Sequence, residues 1–124
     1  MKNSLICDGS VIGRGSVIEN SVIGVRARVA ENVTIRDTYI MGIDFLENPN
    51  QLAENQRLGR PQFGVGPNSV IERAIIDKNA RIGRNVKVVN DRGTLESEDQ
   101  ITHVIRDGVV VIPKSTVLAD GTSI

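Results

Sequence analysis

The sequence predicts an all-β fold, a chain wound into a three-sided coil of about five turns with two excursions leaving its corners. Three observations carry this reading. Aliphatic residues recur every five or six positions, which fits neither the three-and-four rhythm of a helix nor the alternation of a half-buried strand. The spacings run 6, 6 and 5, so equivalent positions such as Ile6, Ile23 and Ile40 return every 17 residues. The core must also be aliphatic, because Tyr39, Phe45 and Phe63 are the only aromatic residues. Stacked ladders of β-branched side chains answer that composition.

Taken in order, the beat falls on Ile6, Ile12 and Ile18, then Ile23, Val29 and Ile35, then Ile40, Val65 and Ile71. It continues with Ile76, Ile82 and Val88, and closes on Ile112, Leu118 and Ile124. Three aliphatic columns follow, each inheriting one residue per turn, with about 4.8 Å between successive turns. In the nine full hexads the fourth residues are Gly9, Gly15, Arg26, Asn32, Asn68, Asn79, Asn85, Ser115 and Gly121. Seven of these are Gly or Asn, which enter the left-handed region at least cost, so the chain is expected to turn a corner there. The fifth residues, among them Ser10, Ser16, Ala27, Ser69, Ala80 and Val86, are small enough to point into that corner. The shortened units after Ile18, Ile35 and Ile71 drop one residue at the same corner of each turn, and their small residues are Ser21, Thr38 and Ala74.

The columns resume in phase after two insertions, about residues 43–63 and 89–111, within a single domain spanning 3–124. The first carries Asn48-Pro49 as a helix start and Gly59 as a stop, predicting a helix from Asn50 to Leu58. The second is acidic from Glu96 to Asp99. It then offers Ile101 to Ile105 and Val109 to Ile112 around Arg106-Asp107-Gly108, a β-hairpin pattern with an Asp-Gly turn.

Composition narrows the function classes. Fifteen basic and fifteen acidic residues cancel, against a nucleic-acid or membrane-surface role. The lone Cys7 rules out an internal disulfide framework and a cysteine-based zinc site, and reads as a passive small side chain rather than a nucleophile. No leading apolar run reads as a signal peptide or membrane span, so a soluble, reducing, cytoplasmic setting is expected. Cofactors and metals are not expected: His103 is the only histidine, reads as a solvated side chain, and cannot supply a multi-histidine zinc site. Gly13-Arg14-Gly15 lacks the strand-loop-helix context of a phosphate loop.

Register supplies one candidate site. Lys78 follows Ile76 by two residues and Lys114 follows Ile112 by two, so both take the same corner in adjacent turns. Two ammonium groups are thereby brought within reach of one anion, and their repulsion, about 1 kcal/mol near a wet surface, would be relieved by a bound phosphate. Elsewhere opposite signs stack, with Arg84 over Asp120 and the series Glu19, Arg36, Glu72. Exposed strand edges on the first and last turns, with Val11, Val17, Val70 and Val117 pointing outward, predict self-association.

The hexapeptide pattern resembles the left-handed parallel β-helix family, and the handedness comes from that resemblance, because general crossover rules favour the right hand. The strings Asn20-Ser21-Val22-Ile23-Gly24-Val25-Arg26, Asp37-Thr38-Tyr39-Ile40-Met41-Gly42-Ile43-Asp44 and Arg73-Ala74-Ile75-Ile76-Asp77-Lys78-Asn79-Ala80-Arg81-Ile82-Gly83 closely resemble the C-terminal β-helix of glucose-1-phosphate adenylyltransferase. The resemblance runs from about Asn3 to Ile124. It implies a parent enzyme that joins glucose 1-phosphate to ATP, giving ADP-glucose and pyrophosphate for glycogen or starch synthesis. The nucleotidyltransferase domain that performs this is not part of these 124 residues, so catalysis by the chain alone is not expected. The part that matches would contact neighbouring subunits and shape an allosteric site for phosphate or sugar-phosphate effectors, with Asp77, Lys78 and Lys114 matching its effector-binding residues. Pro113 departs from the aliphatic residue usual there. Two other readings stand beside this one: a trimeric hexapeptide acyltransferase using His103, and a purely structural oligomerisation module.

Overall fold

In a computed structural model of the chain, residues 3–44, 47–90, 93–97 and 102–124 are described. Turn by turn, β1 (Leu5–Ile6), β2 (Val11–Ile12) and β3 (Val17–Glu19) are followed by β4 (Val22–Val25), β5 (Arg28–Val29) and β6 (Thr34–Arg36). The third turn holds β7 (Tyr39–Gly42), helix α1 (Pro49–Leu58), β8 (Gly64–Val65) and β9 (Val70–Glu72). The fourth holds β10 (Ala74–Ile76), β11 (Arg81–Ile82) and β12 (Lys87–Val88); then come β13 (Val104–Arg106), β14 (Val109–Ile112) and β15 (Val117–Leu118).

These strands form three sheets, one per face of a prism: β1-β4-β7-β10-β14-β13, β2-β5-β8-β11-β15 and β3-β6-β9-β12. All pairings are parallel except β13 with β14. Ile6 pairs with Ile23, Ile23 with Ile40, Ile40 with Ile76 and Ile76 with Ile112, so the first column forms as expected. The other two columns form in the same phase, and Ile124 joins the third through the bond from Val89 N to its carbonyl. Ile18, Ile23, Ile35, Ile71, Val88 and Ile112 have no exposed surface, and each such burial contributes about 1.5–3 kcal/mol.

Every fourth residue of the nine hexads has positive φ, from 56° at Arg26, Asn32 and Asn85 to 78° at Gly121. Arg26 and Ser115 turn with the rest, although neither residue type favours that region. The short corners turn one residue earlier, at Asn20, Asp37 and Arg73, and Asn90 takes the same conformation where the second excursion leaves. The small corner residues are the internal stitching: Ser16 Oγ donates to Ala30 O and accepts from Val33 N, and the fully buried Ser69 does the same with Gly83 O and Val86 N. Gly64, at φ 100°, brings its backbone so close to the Arg28 carbonyl oxygen that a Cβ there would overlap it.

The first excursion contains α1, capped as its sequence dictates. Asn48 Oδ1 accepts from Gln51 N, Gln51 Oε1 accepts from Asn48 N, and Gly59 closes the helix at φ 70°. The second excursion returns as a hairpin turning at Asp107 and Gly108, both at positive φ. Its first strand begins at Val104, later than expected; Ile101, like Glu98 and Asp99, lies outside the described residues.

One expectation is corrected. On the first face the edge of the last turn is not open, because β13 pairs antiparallel along β14 and itself receives the bridge between Glu96 and Arg106. Three facing residue pairs, Val104–Val111, Ile105–Val110 and Arg106–Val109, cover it.

Candidate functional site: the lysine corner and the outer faces

Lys78 and Lys114 meet at one corner because β10 and β14 pair with Ile76 opposite Ile112, and both isoleucines line the interior at 3% and 0% exposure. Beyond the strands the register persists: Asp77 N donates to Ile112 O at 3.0 Å, and Ser115 N donates to Lys78 O at 3.0 Å. Both lysines are exposed. Asp77 lies at the same corner, its carboxylate accepting from Lys78 N at 2.6 Å.

The register alone does not reveal a third charge. Lys78 Nζ lies 3.1 Å from Asp44 Oδ1, while Asn79 Nδ2 donates to Asp44 Oδ2 at 3.2 Å. The hydrogen bond from Lys78, then that from Asn79, hold the Asp44 carboxyl below the ordinary aspartate value, and the Lys114 charge adds to the same effect. The lysine pair is therefore not a bare concentration of positive charge but a corner with a carboxylate built into it. Asp44 opens the first excursion, outside the column arithmetic, which is why spacing could not find it. The signal that could have found it is positional: it follows directly on the last in-phase residues before the break.

The excursion that carries Asp44 is latched to the second face. Arg81, outward on β11, donates to Glu47 Oε1 at 3.0 Å and to Pro61 O at 3.0 Å, and its guanidinium lies 3.9 Å from the Phe63 ring centroid. The pair is nearly dry, with Arg81 and Glu47 side chains 13% and 6% exposed. Burial alone would raise the Glu47 carboxyl, but hydrogen bonds from Arg81 and Asn55 and the Arg81 charge outweigh it and leave it below its ordinary value. Asn55, the one buried residue of α1, also accepts from Arg60.

The remaining stacked charges lie where register puts them. Arg36 lies 3.8 Å from Glu19 and 3.3 Å from Glu72, and Arg84 N donates to Asp120 Oδ1 at 3.0 Å. His103 is half-buried rather than free in water; Thr102 Oγ1 lies 3.0 Å from its Nδ1, and burial lowers its pKa. Cys7 is a free thiol of intermediate exposure. Among the described residues no group of three or more His, Cys, Asp or Glu could hold a metal ion, and no helix is long and apolar enough to cross a membrane.

The outer faces differ in polarity. Val11, Val17 and Val117 are 52%, 40% and 42% exposed, while Val70 is half-buried. The first face carries a continuous apolar ladder, Leu5–Val22–Tyr39–Ile75–Val111–Val104, running across all six strands. Leu5 and Tyr39 in it are 60% and 48% exposed.

Parallel strands stacked three to a turn, aliphatic columns inside and αL corners every hexad define a left-handed parallel β-helix protein of the hexapeptide-repeat class. Residues 1–123 match the family model of the GLGC left-handed parallel beta-helix domain, and the chain belongs to that family. The resemblance to the C-terminal β-helix of glucose-1-phosphate adenylyltransferase is thereby borne out along almost the whole sequence.

Proposed function

We propose that this chain is the regulatory and assembly β-helix of a glucose-1-phosphate adenylyltransferase, working in the cytoplasm beside the nucleotidyltransferase domain and not catalytic by itself. Asp77, Lys78 and Lys114 are its contribution to an allosteric site for phosphate or sugar-phosphate effectors. The observation that carries this reading is the in-register pairing of β10 with β14, which sets the two lysines on one corner of successive turns. An ammonium from each turn offers charge-assisted hydrogen bonds to the same group of phosphate oxygens. Other contacts to the effector come from outside the β-helix, so affinity of the isolated corner is weak.

The assembly role has separate support in the apolar ladder of the first face. The row spans the full height of the prism on its outer side, with Leu5 and Tyr39 exposed and Val22, Ile75, Val111 and Val104 half-buried, and exposed apolar patches mark interaction surfaces. A second copy or a neighbouring domain would bury it.

Calorimetric titration with inorganic phosphate and with phosphoglycerate tests the effector reading. Lys78→Ala and Lys114→Ala are each expected to weaken binding about five- to twentyfold, the loss of a charged hydrogen bond. Binding indifferent to both substitutions leaves a purely structural module. Acetyl transfer from coenzyme A that is abolished by His103→Ala would instead install the acyltransferase reading.

A further inference from the structure

Asp44 is fixed from three sides. Its backbone N–H donates to Asn79 Oδ1 at 2.9 Å, and its carbonyl accepts from Arg26 Nη2 at 3.1 Å. Arg26 Nε also donates to the adjacent Ile43 carbonyl at 3.0 Å, and Ile43 is buried. The backbone at 43–44 is thus clamped by the turn below and the turn above. One carboxylate oxygen then faces Asn79 and the other faces Lys78.

That carboxylate stands where an external anion would make its first contact with Lys78. It occupies one of the three ammonium donors and repels any second anion brought to the same corner. The pair is open to water, with side chains 50% and 37% exposed, so it is weak enough to be exchanged. A carboxylate bearing one charge yields to a phosphate dianion that reaches Lys114 as well.

We propose that Asp44 is a built-in competitor at the lysine corner: its carboxylate holds the Lys78 ammonium until a phosphate-class dianion displaces it, so the first excursion sets the threshold at which the corner responds. This rests on the reading of Lys78 and Lys114 as an anion site. Asp44 is the first excursion's residue but is clamped by Arg26 and Asn79 of the prism, so the threshold belongs to the junction of loop and coil.

The test is calorimetric titration of inorganic phosphate into the whole chain at fixed low ionic strength, comparing wild type with Asp44→Asn, Lys78→Ala, Lys114→Ala and the double variant Asp44→Asn/Lys78→Ala. Asparagine keeps the bulk and removes the charge. Asp44→Asn is expected to bind phosphate about three- to tenfold tighter, and the double variant to lose that gain. Detectable binding only in Asp44→Asn, dependent on Lys78, also supports the proposal. Equal or weaker binding by Asp44→Asn, while both lysine variants still weaken binding, overturns the competitor and leaves the anion site standing. Binding that ignores both lysines, or no binding by wild type and Asp44→Asn alike, overturns both. A measurement on the unaltered chain guards against a misfolded variant: the carboxyl carbon resonance of Asp44 shifts as phosphate saturates the corner. A resonance that stays fixed at saturation overturns the displacement.

Discussion

The two excursions interrupt the same prism but are held to it by different forces. The first is fastened by side chains: Arg81 reaches Glu47, Pro61 and Phe63, and α1 buries only Asn55. The second is fastened by backbone: β13 adds to the first sheet by antiparallel pairing and sinks Ile105 to 6% exposure. A loop held by ion pairs and side-chain hydrogen bonds responds to charge and pH, whereas a loop held by a ladder responds to packing. The contrast matters because the responsive loop is the one that brings Asp44 to Lys78.

Removing the latch gives the largest effect. Arg81→Ala leaves the Glu47 carboxylate buried without its cation and is expected to cost about 3–5 kcal/mol in urea unfolding, with amide exchange rising first along α1. Truncation on the other excursion comes next. Ile105→Ala is expected to cost about 2–4 kcal/mol by the same measurement, with exchange rising in β13 and β14 while α1 keeps its protection. Equal loosening of both excursions in either variant would erase the distinction.

Acid separates them more gently. The Glu47 carboxyl is held below its ordinary 4.5, so its stabilisation is complete above that value and is lost as pH falls through the depressed folded-state value. Exchange along α1 is therefore expected to accelerate in that acidic window before exchange in β13 does. The smallest effect belongs to the exposed pair that trims the hairpin, Glu96 with Arg106 at 3.7 Å. Glu96→Gln is expected to change thermal stability by less than about 1 kcal/mol.

Most of the prism was legible in the sequence because one physical demand, an aliphatic residue facing inward on each of three sides, leaves a period that neither a helix nor a half-buried strand produces. The αL corners were legible for the same reason, since Gly and Asn mark them; Arg26 and Ser115 show the register imposing that conformation on residues that do not advertise it. The helix caps were readable from Asn48, Pro49 and Gly59. What spacing could not give was contact between the coil and its excursions. Asp44 on Lys78 spans 34 residues of sequence across a break in the period, and Arg81 on Glu47 does likewise, so no local rule relates the partners. The closure of an edge by β13 was hidden too, because a hairpin pattern does not say which sheet its free strand will join.

That closing strand has a consequence for growth of the molecule into larger objects. A solenoid whose ends present three parallel ladders invites another coil to continue it, and repetition would yield a filament. Here one wall of the last coil ends in a strand running against the grain, so an incoming coil finds no parallel seam on that side. One of the three walls is thereby closed to a parallel continuation, while the other two still end in parallel pairing.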